Sequence, residues 1–509
     1  MPSMTVSTGE PELISGQQTS MGCVVHRFDS MCIGRFGAGI VEDIIKPGVI
    51  DNRQVVVCSA MKIGGGADRN MTRQLKSAVE ASLTHQSEEY LALFETIEED
   101  HIRMASELIN SVERLEHLKE EIIDECNLVT RLIGASQILG QMNPRAKDMI
   151  LGVRDRLSCI LMTSILQDRG IYCEYINPEG IVNSSYPGKN VLDQKLCDFV
   201  SEELTKQVQE CEHKTIVVTG YFGNIQGVSA GRDYGDLAAA MLAVGLGANE
   251  LKIWKEVDGI FTADPKICST AQLIPVVTSD EAAEMLQYGI QMIHPFAMEL
   301  VAKASIPINF RNIHNLKGNG TVVSDDVAAS FGNQLQKGFP KAPTAITIKT
   351  GIAVLSINSK KRHISCGFFA AVFSTLNKHG LMVDLISTSE THVSVALGPK
   401  FTEDRLREAI KELKQHGSVE LTRHLAIVSL IGRQMKRLVG VASCMFSTLA
   451  KEGVNVEMIS QGASEINISC VIKLEDAVRA MSVLHTKLFL HKMDFGPSAS
   501  QKSAINYDS

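Results

Sequence analysis

The sequence predicts an α/β domain followed by two small α+β modules. Short apolar runs at Gly22–Phe28 and Gln54–Ala60 end in polar or small residues, as buried strands of a parallel sheet do. A strand, a loop, a helix and a second strand follow one another over Thr215–Val257. A pattern that occurs twice in the last third of the chain predicts the two modules.

Composition excludes several classes of protein. The chain has 509 residues, enough for two to four domains, and 44% hydrophobic with 21% charged residues is typical of a soluble globular protein. A net charge of -8 and the lack of a dense Lys/Arg block argue against nucleic-acid and membrane partners. No apolar run is long enough to span a bilayer, and the 12 cysteines include no CxxC pair. We therefore expect reduced thiols, no metal site and a cytoplasmic protein.

The chain divides at a change in composition. Between Met71 and Leu166, apolar residues recur at intervals of three and four, which predicts amphipathic helices. The segment 317–343 is rich in Gly, Asn, Ser, Asp and Lys and predicts a connector, with a boundary near residue 335. We expect one domain over 22–330 and flexible tails at 1–21 and 491–509.

The two modules are expected at 345–415 and 420–490. Each copy has the pattern of a strand, a helix and two more strands. The strongest parallels pair Phe373–Leu376 with Phe446–Leu449, and Val383–Ser387 with Val456–Ser460. Two homologous modules explain this repetition better than chance does.

The segment Leu251–Lys266 resembles the nucleotide-binding strand and turn of the aspartokinases. A strand that ends at Asp258-Gly259 gives a tight turn at the carboxyl edge of a sheet, although this segment alone also fits an ordinary strand and turn. Further segments resemble the same family, and its fungal branch most closely: Val217–Gly223, Gly231–Asp236, Glu281–Met285, Tyr288–Pro295, Glu457–Ala463 and Glu465–Ser469. The resemblance covers about 22–325 and 350–490.

The resemblance implies a fold and an activity. The fold would be the three-layer sandwich of the amino-acid kinases, followed by two ferredoxin-like ACT modules. The activity would be ATP-dependent phosphorylation of the side-chain carboxylate of L-aspartate to give 4-phospho-L-aspartate, with Mg²⁺. Because the nucleophile belongs to the substrate, such an enzyme mainly aligns two anions and neutralises their charge.

The resemblance also implies roles for individual residues. Arg27, Arg232 and Asp236 would be catalytic, and Arg232 would clamp a substrate carboxylate. Aspartate would be held by Ser59, Asp155, Arg232 and Asp236, with Asp155 facing the α-ammonium group. ATP would contact Arg27, Lys255, Glu256, Phe261 and Lys266. An arginine near an aspartate is more often an exposed ion pair than part of a binding site. The assignment therefore depends on all of these residues occurring together in the order that the family has. His294 is expected only to pack before Pro295.

The chain departs from the family near the expected phosphates. The family segment Lys-Phe-Gly-Gly-Thr-Ser is Arg27–Cys32 here, so two glycines are lost and Asp29 brings a carboxylate toward the phosphates. Gly-Glu-Lys-Leu-Ser is replaced by Arg154–Ser158, and Gly-Tyr-Thr-Asp by Asp233–Asp236. Three possibilities are consistent with these changes: a slow kinase, a kinase for another carboxylate, and an inactive paralogue. An inactive copy would serve as an amino-acid-binding regulatory subunit. Aspartokinase-like proteins of this kind occur in fungal secondary-metabolite clusters such as those for fusaric acid.

The repeated modules predict self-association and an effector. A four-stranded module leaves edges that need partners, so we expect a homodimer or a higher homo-oligomer. The resemblance implies that an amino acid, threonine in fungi, binds between such modules. The polar candidates are Asp384, Asn455, Gln461 and Asn467. It is equally probable on sequence grounds that such residues only cap turns and bind no effector.

Overall fold

The computed structural model describes most of the chain. Its described residues are 22–61, 75, 77, 79–82, 88–182, 186, 188, 191–225, 228, 232–326, 343–359, 367–399, 401–461 and 466–490. Of these, the side chains of 144, 145, 232, 233, 436 and 437 lie outside the description. Both expected tails and the expected boundary near residue 335 also lie outside it.

The first domain is built on an eight-stranded sheet. The strands are β1 (Gly22–Phe28), β2 (Asn52–Cys58), β3 (Cys173–Ile176), β4 (Thr215–Thr219), β5 (Glu250–Lys255), β6 (Val276–Val277), β7 (Ile308–Asn312) and β8 (Thr321–Val323). Their order is β3-β4-β2-β1-β5-β7-β8-β6, and every neighbouring pair is parallel except β7 with β8. The expected connector at 317–343 therefore begins with a strand of this sheet.

Helices cover both faces of the sheet, as its continuous apolar strands require. On one face lie α1 (Cys32–Gly39), α2 (Glu89–Leu108), α3 (Val112–Leu139) and α4 (Pro144–Asp168). On the other lie α5 (Gln194–Glu210), α6 (Arg232–Gly245), α7 (Ser279–Gln287) and α8 (Pro295–Lys303). A π-helical turn, Ile40–Ile45, and a short turn, Lys46–Gly48, extend α1. The result is the three-layer sandwich that the sequence predicts.

The register of the central strands brings their carboxyl ends together. Phe28 at the end of β1 lies opposite Cys58 on β2 and Trp254 on β5, and Cys58 lies opposite Thr219 on β4. Strands β2, β3 and β4 lie on one side of β1, whereas β5, β6, β7 and β8 lie on the other. Ligands of open α/β sheets bind where the strand order reverses in this way.

The second domain is a six-stranded antiparallel sheet with helices packed on one of its faces. Its strands are β9 (Ala345–Ser359), β10 (Val383–Thr388), β11 (His392–Leu397), β12 (Gly417–Ile431), β13 (Met458–Ser460) and β14 (Asn467–Lys473). Its helices are α9 (Phe368–Lys378), α10 (Glu403–Leu413), α11 (Val441–Lys451) and α12 (Ala477–His485). A 3₁₀ turn, Arg433–Arg437, precedes α11, another, Leu474–Asp476, precedes α12, and a π-helical turn, Thr486–Leu490, follows α12.

The two modules share their longest strands. The order is β10-β11-β9-β12-β14-β13, so β9 and β12 lie side by side at the centre. The second half of β9 pairs with the first half of β12, and Ala345–Thr350 pair with Ala426–Ile431. A register shift next to His424, which has a φ of 57°, divides β12 into its two halves. Each repeat therefore contributes a strand to the other, which the repeat pattern alone does not predict.

Two further findings bear on the composition-based expectations. The cysteines within the described residues form no disulfide, and all of them except Cys211 are buried. In the same part of the chain, no helix combines the length and apolar character needed to cross a membrane.

Candidate active site

A buried cluster of charges occupies the carboxyl edge of the sheet. Arg27 is 0% exposed, and its Nε lies 2.8 Å from Oδ1 of Asp236 in the first turn of α6. A terminal nitrogen of Arg27 lies 3.2 Å from Oδ1 of Asp29, whose side chain is 17% exposed. The Asp29 carboxylate that the sequence places near the expected phosphates is therefore an ion-pair partner of Arg27.

Asp236 is held on its other side by backbone. Its Oδ2 accepts a hydrogen bond of 2.9 Å from the N–H of His294, the N-cap of α8. The His294 ring caps that helix by accepting from the N–H of Phe296. The sequence assigns His294 no role beyond packing, and nothing in an isolated histidine signals that its backbone orients a carboxylate.

Side chains of α4 fix the loop that follows β2. Asp155 accepts from the N–H of Ala60 at 3.0 Å, and Ser158 accepts from the N–H of Met61 at 2.7 Å. Arg154 donates to the carbonyl oxygen of Met61 at 2.6 Å. These bonds place Ser59, which is 2% exposed, beside α6. The Ser59 hydroxyl has no hydrogen-bond partner among the described residues, which suits a polar ligand.

Burial changes how the two carboxyl groups ionise. It raises the pKa of Asp155 to about 6, although the Arg154 cation acts in the opposite direction. Burial also raises the pKa of Asp236 above its ordinary value, although Arg27 and Lys255 favour the charged form. Asp155 therefore changes charge closer to neutral pH than an exposed aspartate does.

The expected ATP-binding residues divide into a buried and an exposed group. Lys255 ends β5, is 6% exposed and acts electrostatically on Asp236. Glu256 is exposed and lies 3.5 Å from His314 Nε2. Phe261 forms an isolated bridge with Leu273, and Lys266 lies on the surface. The structure thus brings Lys255 together with Arg27 and Asp236, whereas Glu256 and Lys266 are exposed at the protein surface.

Arg232 begins α6, four residues before Asp236, but its side chain lies outside the described residues. The backbone places it at the same edge of the sheet as Arg27. Its contacts with a substrate stay a prediction from the resemblance.

The expected effector residues have separate surroundings. Asp384 on β10 pairs with Lys349 at 2.8 Å, and Asn455 donates to Glu457 at 3.0 Å. Gln461 is exposed after β13. Asn467 is buried and donates to Glu284 on α7, so it joins the second domain to the first. Their roles in binding an effector stay predictions.

Several residues of the site escape sequence reasoning. Gly235 packs against Ser59 and Arg27. Arg156 is 3% exposed and pairs with Glu125 and Glu179, which ties α4 to its neighbours. Gly235 occupies a position where the chain departs from the family motif, so this departure was the sequence signal that could have pointed to its place in the site.

Comparison with known proteins identifies the family. The model of the amino acid kinase family matches residues 38–312, more than half of the chain, and an ACT domain model matches 428–488. The aspartokinase of Candida albicans is 40% identical over 95% of this chain and 92% of its own length. The chain belongs to the aspartokinase family.

Two other aspartokinases extend the comparison. The aspartate kinase FUB3 of Gibberella fujikuroi is 36% identical over 92% of this chain and 97% of its own length. The crystal structure of aspartokinase III of E. coli in complex with aspartate and ADP has a TM-score of 0.73 and 25% identity, and covers 92% of this chain and 100% of the bacterial one. The fungal aspartokinase resemblance and the predicted fold are confirmed. The match to the kinase family model begins after β1 and Asp29, so it does not include the altered segment.

Proposed function

We propose that the chain transfers the γ-phosphoryl group of ATP to the side-chain carboxylate of L-aspartate. The observation that carries this proposal is the convergence of two buried cations, Arg27 and Lys255, with Asp155 and Asp236 at the carboxyl edge of a parallel sheet. Cations there offset charge on transferring phosphoryl oxygens, and fixed carboxylates bind the ammonium group of an amino acid. Family membership supplies the substrate.

The residues would divide the work as follows. Asp155 would face the α-ammonium group of aspartate, while the Ser59 hydroxyl would donate a hydrogen bond to the substrate. Arg232 would hold a substrate carboxylate through two parallel hydrogen bonds. Arg27 and Lys255 would offset phosphate charge, and Asp236 would keep Arg27 in place. Both reactants are then aligned, and no protein nucleophile is required.

Mg²⁺ would reach the site on the phosphates of ATP. Within the described part of the chain, no group of three or more His, Cys, Asp or Glu side chains is placed to hold a metal ion. The two carboxylates nearest the expected phosphates, Asp29 and Asp236, both pair with Arg27. Mg²⁺ commonly keeps water and phosphate ligands with few protein ligands, so such a site fits an ion carried by the nucleotide.

We also propose a homodimer formed through the second domain. The strands at the edges of its sheet, β10 and β13, expose Ile386 and Ile459 at equivalent positions of the repeat, with 45% and 50% exposure. Pairing such edges with a second copy would bury both residues. Threonine would bind between the modules. The product would feed the homoserine branch or a specialised metabolite derived from it, in the cytoplasm.

One assay tests the kinase activity. Purified protein is incubated with Mg²⁺, ATP and L-aspartate, and release of ADP is followed while hydroxylamine traps the acyl phosphate as a hydroxamate. Arg232→Ala is expected to abolish aspartate-dependent turnover, whereas Arg407→Ala, an exposed arginine on α10, should change nothing. ATP binding without any aspartate-dependent ADP release would favour the alternative, an inactive regulatory paralogue.

A further inference from the structure

Three positions at which the chain departs from the aspartokinase motifs lie in contact with one another. Asp29 pairs with Arg27 at 3.2 Å. A Cβ placed on Gly235 would lie 2.4 Å from Ser59 Oγ and 3.4 Å from Arg27 Nε. Asp29 supplies a charge to the buried Arg27, and Gly235 leaves space beside it, so these three replacements form one connected cluster.

Gly235 determines how closely α6 approaches the end of β1. The contact of 2.4 Å is shorter than any real Cβ contact, so a side chain at this position would displace Ser59. The same Cβ would lie 3.4 Å from Nε and 3.5 Å from a terminal nitrogen of Arg27, so it would also crowd the guanidinium. The glycine therefore leaves room for an arginine where the related motif has a lysine.

The two acidic partners of Arg27 differ in exposure. Asp236 is 2% exposed and is fixed by His294, whereas Asp29 is 17% exposed and lies in the turn after β1. The N–H of Ser30 donates to Asp29 Oδ1 at 2.8 Å and so orients the carboxylate toward Arg27. Asp29 is therefore the more accessible of the two acidic partners of Arg27.

Arg27 has acidic partners before any ligand binds. Asp236 lies beside its Nε, and Asp29 lies beside one of its terminal nitrogens. A carboxylate oxygen on a guanidinium uses the same donors that a phosphate oxygen would use. A phosphate that approaches Arg27 must therefore displace Asp29 or accept its repulsion.

We propose that Asp29 is a built-in anionic competitor of the nucleotide phosphates for Arg27, and that Gly235 makes room for this pair. This inference rests on the proposed function only in taking ATP as the ligand. It assigns Asp29 a role in setting nucleotide affinity, separate from the transfer itself.

The test compares nucleotide binding by the full chain and two matched variants. Asp29→Asn removes one charge and keeps an oxygen that can accept from Ser30. Asp43→Asn makes the same change at an exposed aspartate on the helix after β1. Calorimetric titration with ATP and Mg²⁺ is expected to give a Kd about five- to tenfold lower for Asp29→Asn, and an unchanged Kd for Asp43→Asn. Thermal unfolding checks that both variants are folded, and Asp29→Gly serves as a second variant.

The outcomes separate this proposal from the proposed function. Tighter ATP binding by Asp29→Asn or Asp29→Gly supports the competitor role, even if the hydroxamate assay shows no aspartate-dependent transfer. An unchanged or higher Kd for both variants overturns it, even if the wild type is an active kinase. In an active enzyme, the effect should appear as a lower KM for ATP, with KM for aspartate unchanged.

Discussion

At the scale of single residues, Arg27 shows how the fold tolerates a fully buried cation. A guanidinium removed from water is costly unless it is paired and hydrogen-bonded. Asp236 supplies a charge at 2.8 Å, and the backbone of His294 orients Asp236 in turn. Removal of Asp236 would leave Arg27 poorly compensated, at a cost of about 3–5 kcal/mol. Substitution of Asp236 would therefore mix a loss of stability with any loss of function.

Asp155 should make aspartate binding depend on pH. The carboxylate is the form that attracts an ammonium group, and burial raises its pKa to about 6. We expect kcat/KM for aspartate to fall as pH decreases through about 6. The effect on stability has the opposite sign. Because the pKa of Asp155 is raised in the folded state, its protonation stabilises the fold fully at a pH below the ordinary pKa of an aspartate. This contribution is lost as the pH rises through about 6.

Asp155→Asn should remove this part of the pH profile and lower kcat/KM by at least about tenfold, because the charge is absent at every pH. Asp124→Asn, an exposed aspartate on α3, is the control and should keep the wild-type profile. An unchanged profile for Asp155→Asn would assign the pH dependence to another group.

Gly235 and Gly134 make a matched pair of helical glycines. A Cβ on Gly235 would meet Ser59 at 2.4 Å, whereas a Cβ on Gly134 in α3 would approach only the Tyr90 hydroxyl, at 3.9 Å. Gly134→Ala should raise stability by about 0.5–1 kcal/mol through helix propensity. Gly235→Ala should lower it by about 1–3 kcal/mol through overpacking. Thermal unfolding midpoints measure both effects, and a rise in both variants would contradict the close packing at Gly235.

At the scale of elements, the start of α7 holds the two domains together. Glu281 forms a capping box with Thr278. The Oε1 atom of Glu281 also accepts from Thr344 Oγ1 at 2.6 Å and from the N–H of Arg433 at 2.9 Å. One turn further along α7, Glu284 accepts from Asn467. Two residues of the Glu281–Met285 motif therefore bind the second domain and the residue that precedes its first strand, through three hydrogen bonds.

Glu281→Ala should destabilise the protein more than loss of a helix cap alone does. The substitution removes the cap contact and leaves the partly buried donors of Thr344 and Arg433 without this acceptor, for a total of about 2–4 kcal/mol. Asp280→Ala, an exposed acid in the same helical turn, should cost less than about 1 kcal/mol. Thermal unfolding and amide hydrogen exchange around residue 344 measure the difference. Equal losses of stability would mean that Glu281 acts only as a cap.

At the scale of the whole molecule, the second domain packs against the segment that follows the expected nucleotide strand. Ala263 and Cys268 belong to the same apolar core as α11 and α12. Buried His485 lies 2.9 Å from Thr262 Oγ1 and 3.2 Å from Thr270 Oγ1. A change in the second domain therefore acts directly on a loop that continues from Phe261.

Threonine binding should be coupled to the kinase site. If threonine binds between the modules and inhibits, saturation with an ATP analogue and aspartate should weaken threonine binding by the same factor, typically about 5–150-fold, because coupling is reciprocal. Calorimetric titration with threonine, with and without these ligands, measures the factor. Asp384→Asn should abolish the heat of binding, and Asp404→Asn, an exposed aspartate on α10, should not. No heat and no thermal stabilisation at millimolar threonine would leave the modules with a structural role.

The sequence by itself determined the elements and the family. Apolar runs and helical periodicity depend on neighbours in the chain, so β1 begins and ends at the predicted residues, Gly22 and Phe28. The resemblance to the aspartokinases likewise brought Arg27, Lys255 and Asp236 into one hypothesis, and the structure places them at one edge of the sheet.

Only the tertiary structure decided which groups touch. The pairing of Asp29 with Arg27, the room left by Gly235 and the contact of Asn467 with Glu284 join residues that are not predicted as neighbours by any local pattern. The exchange of strands between the modules was also decided by the tertiary structure, since β9 and β12 pair across a register shift. Periodicity reports which face of an element is buried. The partner of a buried charge depends on distances of a few ångströms between elements, which packing of the whole chain sets.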